Sequence, residues 1–384
     1  MNSLDVKRIF QCVTVVVAVC FAKKVSLRST VSRHGYPVEI HNVTTEDGYV
    51  LGIVRIPKQG HTPVLLVHGV LSSSADWCVL GNNSLAFRLF DADFDVWLLN
   101  ARGNTFSRRH ATLSPDKERF WDFSWHEIGM FDLPAVIDYS LGMTGFKSLH
   151  YAGHSQGTTS FFVMTSSRQE YDRKIKTAHL LAPVAYMYNT YSPPTRLLIP
   201  MTKELGVVGR GLGMWEILGR SENFVVDGLQ DSIPPELFMF VAYALCGQRE
   251  PQFKATQIRQ IMETFPAGAA LKQLEHYSQL ISTGRFQQFD YGAKGNRKRY
   301  GASKPPSYRV ERIKAPLALY YSDNDWFVAL KDIELLKKKL KSVLLDYHVP
   351  VPQFNHIDFL YDEYAYKLYD EIIRVMKDSE KQEY

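Results

Sequence analysis

Six short runs along the chain are apolar at most positions, with no regular polar alternation: residues 64–67, 96–99, 149–152, 178–181, 317–321 and 343–347. Strands buried on both faces have this pattern, because neither face meets water. Between them lie helix-length patterns at 127–141, 158–167 and 331–341. Strand alternating with helix predicts an α/β fold, a mostly parallel central sheet with helices on both faces. The earlier segment 38–56 alternates more clearly around the turn Glu46-Asp47-Gly48. It predicts an antiparallel hairpin at the start of the sheet.

From 184 to 308 the alternation of strand and helix stops. This stretch holds Pro193-Pro194, the glycine-rich GVVGRGLG at 206–213, and IPPELFMFVAYALC at 233–246. The last of these is apolar on nearly every side. It reads either as a fully buried helix or as one that covers a lipid-binding cleft and exposes an apolar face. Within the glycine-rich string, Gly209-Arg210-Gly211-Leu212-Gly213 has no strand before it, as a dinucleotide site would need, so it is expected to be a flexible connector. Lys294, Arg297, Lys298 and Arg299 form a basic cluster in what reads as a loop. Lys337 to Lys339 with Lys341 read as the solvated face of a helix.

The N-terminus has a different character. Lys7 and Arg8 precede CVTVVVAVCFA at 12–22, which Lys23 and Lys24 close. At about eleven residues this core falls short of the roughly 18 that a membrane span needs, and it predicts a signal peptide over residues 1–22. The competing expectation is a buried N-terminal strand. Two acceptor triplets, Asn42-Val43-Thr44 and Asn82-Asn83-Ser84, make Asn42 and Asn82 candidate glycosylation sites and agree with secretion.

Composition then removes whole classes. With 384 residues, 45% of them hydrophobic, and ordinary Gly and Pro content, the chain is neither disordered nor collagen-like. Its 45 Lys+Arg against 40 Asp+Glu give a net charge of +5, too dilute to argue for nucleic acid. Its 4 Cys are too few for a disulfide scaffold. Loss of the signal segment would leave Cys78 and Cys246, whose pairing is open. No H-E-x-x-H, paired C-x-x-C or P-loop occurs, so no metal and no cofactor is expected.

The chemistry converges on one turn. The strand at 149–152 runs directly into Gly153-His154-Ser155-Gln156-Gly157, followed by a helical pattern. In that setting G-x-S-x-G is a nucleophile elbow, with Gly153 and Gly157 removing side chains that would collide with neighbouring backbone. A serine hydroxyl needs a base to take its proton and an acid to orient that base. Asp323 and Asp325 both follow the strand at 317–321 and are both candidate acids. His356 lies in the loop after the last strand and is the candidate base; His348, at the strand's end, is expected to be structural. Donors for an oxyanion would be the amides of Gln156 and of Val70, which follows His68-Gly69.

Several longer strings widen this picture: TTEDGYVL at 44–51, HGVLSSSADW at 68–77, NNSLAF at 82–87, DVWLLNARGNTFSRRH at 95–110, FWDFSWHEIGMFDLPAVIDY at 120–139, LHYAGHSQGTT at 149–159 and FNHIDF at 354–359. With Gly35-Tyr36-Pro37 they resemble the acid lipases, the gastric and lysosomal group of α/β-hydrolases, across almost the whole chain after the signal segment. The resemblance implies Ser155 as nucleophile, Asp325 rather than Asp323 as acid, His356 as base, and Val70 and Gln156 as oxyanion donors. It implies a hydrolase core at 23–183 and 309–384, interrupted by a cap with a lid at 184–308. The implied reaction is hydrolysis of neutral-lipid esters, triacylglycerol or cholesteryl ester, at a lipid surface by a secreted or lysosomal enzyme. Relatives carry a cysteine pair in the lid region, where this chain has only Cys246. A carboxylesterase for small soluble esters and a non-catalytic lipid-binding protein are the other functions such a chain could serve.

Overall fold

The computed structural model describes residues 26–219, 234–250 and 252–381. The apolar segment 1–22 and Ile233 lie outside them. After a short helix at Leu27–Ser32, the sheet begins with the antiparallel pair β1 (Glu39–Thr44) and β2 (Tyr49–Ile56), followed by β3 (Pro63–Val67), helix α1 (Leu85–Asp91), β4 (Asp95–Leu99) and the short β5 (Arg109–His110). Helix α2 (Leu133–Thr144), β6 (Leu149–His154), α3 (Gln156–Ser167) and β7 (Ile175–Leu181) come next. An excursion away from the sheet contains α4 (Thr202–Gly211), β8 (Glu216–Ile217), α5 (Pro235–Cys246), α6 (Ala255–Met262), β9 (Ala269–Ala270), α7 (Leu271–Thr283) and α8 (Gly292–Tyr300). The chain then returns through β10 (Leu317–Tyr321), α9 (Leu330–Lys339) and β11 (Val343–His348) to the closing helix α10 (Ala365–Lys381).

The strand order is β1-β2-β4-β3-β6-β7-β10-β11, with β5 added beside β2. Every pairing from β4 to β11 is parallel, as the unbroken apolar runs predict. Strands β3, β4, β6 and β10 are buried at every residue. Helix α10 shows how the faces are covered: Leu368, Ile372, Val375 and Met376 turn inward at helical spacing, while Arg374 and Asp378 pair on the water side.

Three expectations need correction. The run at 343–347 forms a strand, but at the sheet's edge, with Leu344 exposed. Among the described residues no strand pairs with its outer side, so its apolarity does not report burial. The string at 209–213 is not a free connector: Gly209, Arg210 and Gly211 end helix α4, and only Leu212 and Gly213 form the turn after it. Arg210 of α4 donates Nη1 to Glu275 of α7 at 2.6 Å, and a Cβ built on Gly206 would displace that carboxylate. The basic cluster at 294–299 belongs to helix α8. Buried Asn296 accepts from the Tyr291 amide at 2.9 Å, and Gly301 closes the helix at φ 72°. Arg297, Lys298 and Arg299 thus sit in the last turn, where cations oppose the helix dipole favourably.

Helix α5 is not the fully buried helix that its composition allows. Met239, Tyr243 and Cys246 face inward, whereas Leu237 and Phe240 are exposed, Phe240 to 64%.

One buried ion cluster ties the hairpin to the rest. Arg102, after β4, donates Nε to Asp132 Oδ1 at 2.7 Å and Nη1 to Asp47 Oδ2 at 2.6 Å. Its guanidinium lies 4.1 Å from the centre of the Tyr49 ring. Asp132 is fully buried at the end of a π-helical segment, Ile128–Asp132, that leads into α2. Pro134 has no N–H for the Met130 carbonyl, which instead accepts from Arg168 Nη1 at 3.1 Å. Arg102→Met would leave the Asp132 carboxylate buried without a counter-charge, and is expected to cost about 3–5 kcal/mol of stability. Denaturant unfolding checks this; a loss under about 1 kcal/mol would mean that Asp132 is neutralised without Arg102.

Candidate active site

Parallel strands β3, β6, β10 and β11 end at the same edge of the sheet, so the loops that leave them share one crevice. At the end of β6 the chain reverses sharply. Ser155 stands at φ 53°, ψ −115°, and α3 begins at the next residue. A non-glycine residue at positive φ is strained, by about 1–3 kcal/mol. The surroundings hold it there: Ser155 N donates to Leu181 O at 3.0 Å, and Ser155 O accepts from Thr158 Oγ1 at 2.6 Å. Both glycines of the elbow are sterically required. A Cβ on Gly157 would overlap the Val67 carbonyl of β3, and one on Gly153 would lie 2.9 Å from Tyr151 Cε1 and 3.0 Å from the Gly157 carbonyl carbon.

The hydroxyl on that turn reaches a hydrogen-bonded chain. Ser155 Oγ lies 2.8 Å from His356 Nε2, and His356 Nδ1 lies 2.7 Å from Asp325 Oδ2. A carboxylate only accepts, so Nδ1 carries the proton and Nε2 accepts from the serine hydroxyl. Asp325 is 1% exposed, and its other oxygen accepts the amides of Phe327 and Val328, each at 2.9 Å. The two candidate acids are thereby separated: Asp323 is exposed and pairs with His348 Nε2 at 3.0 Å. The Phe327 ring stands edge-on to His356 at 5.1 Å and limits its rotation.

The loop after β3 lies beside the serine. A Cβ built on Gly69 would be 3.3 Å from Ser155 Cβ, and Val70 follows directly. Gln156 opens α3, so its N–H is among the first-turn amides without an intrahelical acceptor. The Gln156 side chain is held by the excursion, accepting at Oε1 from Gln273 Nε2 of α7 at 3.1 Å.

Sequence reasoning left two neighbouring histidines unassigned. His154 Nε2 donates to the His356 carbonyl at 2.8 Å, tying the elbow to the loop of the candidate base. His68 lies 2.7 Å from Gly69 O through Nδ1, while its Nε2 accepts the Ala101 amide at 3.1 Å. Burial pulls His68 down to about 4 and His154 well below the ordinary histidine range, so both are neutral near pH 7. His154 was legible only as part of the elbow, since its acceptor is a distant backbone carbonyl.

Cys78 and Cys246 are buried and unpaired. Burial pushes the Cys78 thiol up to about 12, which makes it a poor nucleophile. Asn42, in β1, and Asn82 are both exposed. Among the described residues no group of three or more His, Cys, Asp or Glu side chains is arranged to hold a metal ion.

The doubly covered parallel sheet, with a serine on a strained strand-to-helix turn at its edge, defines an α/β-hydrolase. Residues 62–204 match the alpha/beta hydrolase fold model, and residues 27–81 match a partial alpha/beta-hydrolase lipase region. Lipase 1 of Drosophila melanogaster is 42% identical over 337 residues, covering 88% of this chain and 76% of the relative. Gastric triacylglycerol lipase of Homo sapiens is 36% identical, covering 90% of this chain and 89% of the relative. Among solved structures, a carboxylesterase from Nitrososphaera gargenis superposes with a TM-score of 0.55 at 10% identity, over 89% of this chain and 100% of that one. At that identity it speaks for the fold alone. The chain belongs to the acid-lipase family of α/β-hydrolases and is a carboxylic ester hydrolase of the lipase type.

The elbow geometry sets opposite signs for two glycine substitutions. Gly157→Ala drives a methyl into the Val67 carbonyl and is expected to cost about 1–3 kcal/mol. Gly142→Ala, in α2 with open space around it, is expected to stabilise by about 0.5–1 kcal/mol. Thermal unfolding of the two variants compares them directly; equal shifts would contradict the close approach of α3 to β3.

Proposed function

We propose that this lipase hydrolyses neutral-lipid esters, triacylglycerol foremost and cholesteryl ester second, through a serine acyl-enzyme. The observation that carries the reading is the unbroken chain Ser155 Oγ, His356, Asp325 at 2.8 and 2.7 Å. His356 Nε2 takes the Ser155 proton as Oγ attacks the ester carbonyl carbon. The negative charge that develops on the carbonyl oxygen is met by the amides of Val70 and Gln156. Asp325 keeps the proton on Nδ1 and stabilises the imidazolium while it exists. His356 then protonates the leaving alcohol. Water, deprotonated by the same imidazole, releases the fatty acid and restores Ser155.

The choice of a water-insoluble substrate rests on the excursion. In this reading 23–183 and 309–384 are the hydrolase core, and 184–308 is a cap whose helices include a lid. Met201, Val207, Val208, Leu212 and Phe240 are all exposed on it, a grouping that suits contact with an oil-water or micelle interface. Among the described residues no helix is long and apolar enough to cross a membrane, which leaves peripheral contact as the mode proposed. Relatives named gastric triacylglycerol lipase support the substrate class. Residues 1–22 as a signal peptide, with carbohydrate on exposed Asn42 and Asn82, support export, to the extracellular space or the lysosome.

Ser155→Ala is expected to reduce hydrolysis of emulsified triacylglycerol by about six orders of magnitude, or to the assay's floor. Near-normal activity would end the reading. Asp325→Asn is expected to lower kcat by roughly 10⁴-fold, since the wrong histidine tautomer is then favoured. Asp323→Asn should stay within about threefold, as that exposed carboxylate touches neither the base nor the nucleophile. Rate against substrate concentration, followed through the solubility limit, separates an interfacial enzyme, whose rate climbs beyond it, from one that saturates below it.

A further inference from the structure

The segment that leaves α5 lies across both loops that carry the acid and the base. Gly247 stands at φ 134°, and a Cβ built on it would overlap the Asn324 carbonyl and come within 2.8 Å of Asn355 Cβ. Only glycine fits there. The carbonyls of this strap are then used in turn. Cys246 O accepts the Trp326 amide at 3.1 Å and the His356 amide at 3.4 Å. Gly247 O accepts Asn355 Nδ2 at 3.0 Å, and Gln248 O accepts Asn324 Nδ2 at 2.8 Å.

One residue further on, Arg249 turns into the protein with its side chain 1% exposed. Nη1 contacts Asp358 Oδ2, and lies 2.8 Å from Asp362 Oδ2. Asp358 follows His356 by two positions and is itself completely buried. Its Oδ2 accepts the Asn355 amide at 2.7 Å, closing the turn that presents the base. The guanidinium thus reaches the histidine loop from outside the sheet, through one carboxylate. Among the described residues Asp358 has no other ion-pair partner.

Such a cluster is expensive unless neutralised, because two carboxylates taken out of water repel each other and lose their hydration. Burial pushes Asp358 up to about 7, Asp362 adds to this, and Arg249 opposes it. Without the guanidinium, Asp358 would take up a proton or water would enter beside the turn. Either change alters the acceptor that fixes the Asn355 amide.

We propose that Arg249 is a positioning residue for catalysis: by neutralising Asp358 it sets the 355–358 turn, and so holds the His356 ring in line with Asp325 and Ser155. The inference rests on His356 being the base. It also gives the excursion a part in the chemistry, since the strap that supplies Arg249 is the direct continuation of α5. The competing role is purely structural, an ion cluster that anchors the start of α10 through Asp362.

The test uses the full chain and a monomeric p-nitrophenyl ester, so that lipid-surface binding does not enter. Arg249→Met, folded at the assay temperature by thermal melting, is expected to lose about tenfold or more in kcat with KM within about threefold. Adding Asp358→Asn removes the carboxylate that borders the histidine turn, leaving only Asp362 near the start of α10, and should recover most of that loss. Arg249→Lys, a point charge without the planar fork, should fall between, at about three- to tenfold lower kcat. A folded Arg249→Met with kcat within about twofold of the parent, or a double variant no better than the single one, would overturn the proposal. If Arg249→Met does not fold, Arg249→Lys decides: parental kcat with a lowered melting temperature assigns the structural role instead. Ser155→Ala in the same assay keeps the two readings apart. Activity there would remove the serine mechanism itself, whereas an inactive Ser155→Ala beside a fully active Arg249→Met would remove only the role of Arg249.

Discussion

The contact between Gly157 and the Val67 carbonyl is the constraint on which the site depends. Because no side chain separates α3 from β3, the helix can start immediately after Ser155, and the serine is forced to positive φ at the end of its strand. The strain is local, and two hydrogen bonds on the same residue, to Leu181 and from Thr158, offset part of it. The same approach brings the 68–70 loop alongside Ser155. The proposed nucleophile and nearby amides are therefore placed by one backbone contact, and two further strands, β10 and β11, only have to deliver loops to an edge already defined.

The proposed acid and base are placed differently. Their loops leave neighbouring parallel strands, but they are fixed by groups outside the sheet: the Cys246 carbonyl, the Gly247 approach and the Arg249 cluster from the excursion, and His154 from the elbow. The excursion is thus more than a covering. Its exposed apolar helix α5 and its strap are one continuous segment, so whatever displaces the outer face of α5 acts on a chain that is bonded at the next turn to Trp326 and His356.

How much of this could be read beforehand follows from how local each determinant is. The elbow was legible because its demands, glycine on both sides and a strand before it, lie within a few residues. The parallel strands were legible because burial on both faces leaves an unbroken apolar run. Asp325 and Asp323 follow the same strand at nearly the same place, and only burial and the amides of Phe327 and Val328 tell them apart. The edge position of β11 depends on what is absent beside it, which its own residues do not encode. The string at 209–213 reads as a connector because no strand precedes it, whereas its first three residues end helix α4, where Arg210 pairs with Glu275 of α7, a residue far along the chain. Arg249 carries no signal at all in its own neighbourhood, because both of its carboxylate partners arrive from the far end of the chain.

Chain order adds a consequence of its own. Ser155 precedes His356 by 201 positions, and the whole excursion is synthesised between them. During synthesis the hydroxyl emerges first, and the imidazole proposed as its base follows only after the whole excursion and β11. A product truncated anywhere before that point holds a nucleophile that nothing can deprotonate. In the proposed mechanism the order of the chain thus keeps the hydrolase inert until the loop after β11 has been made.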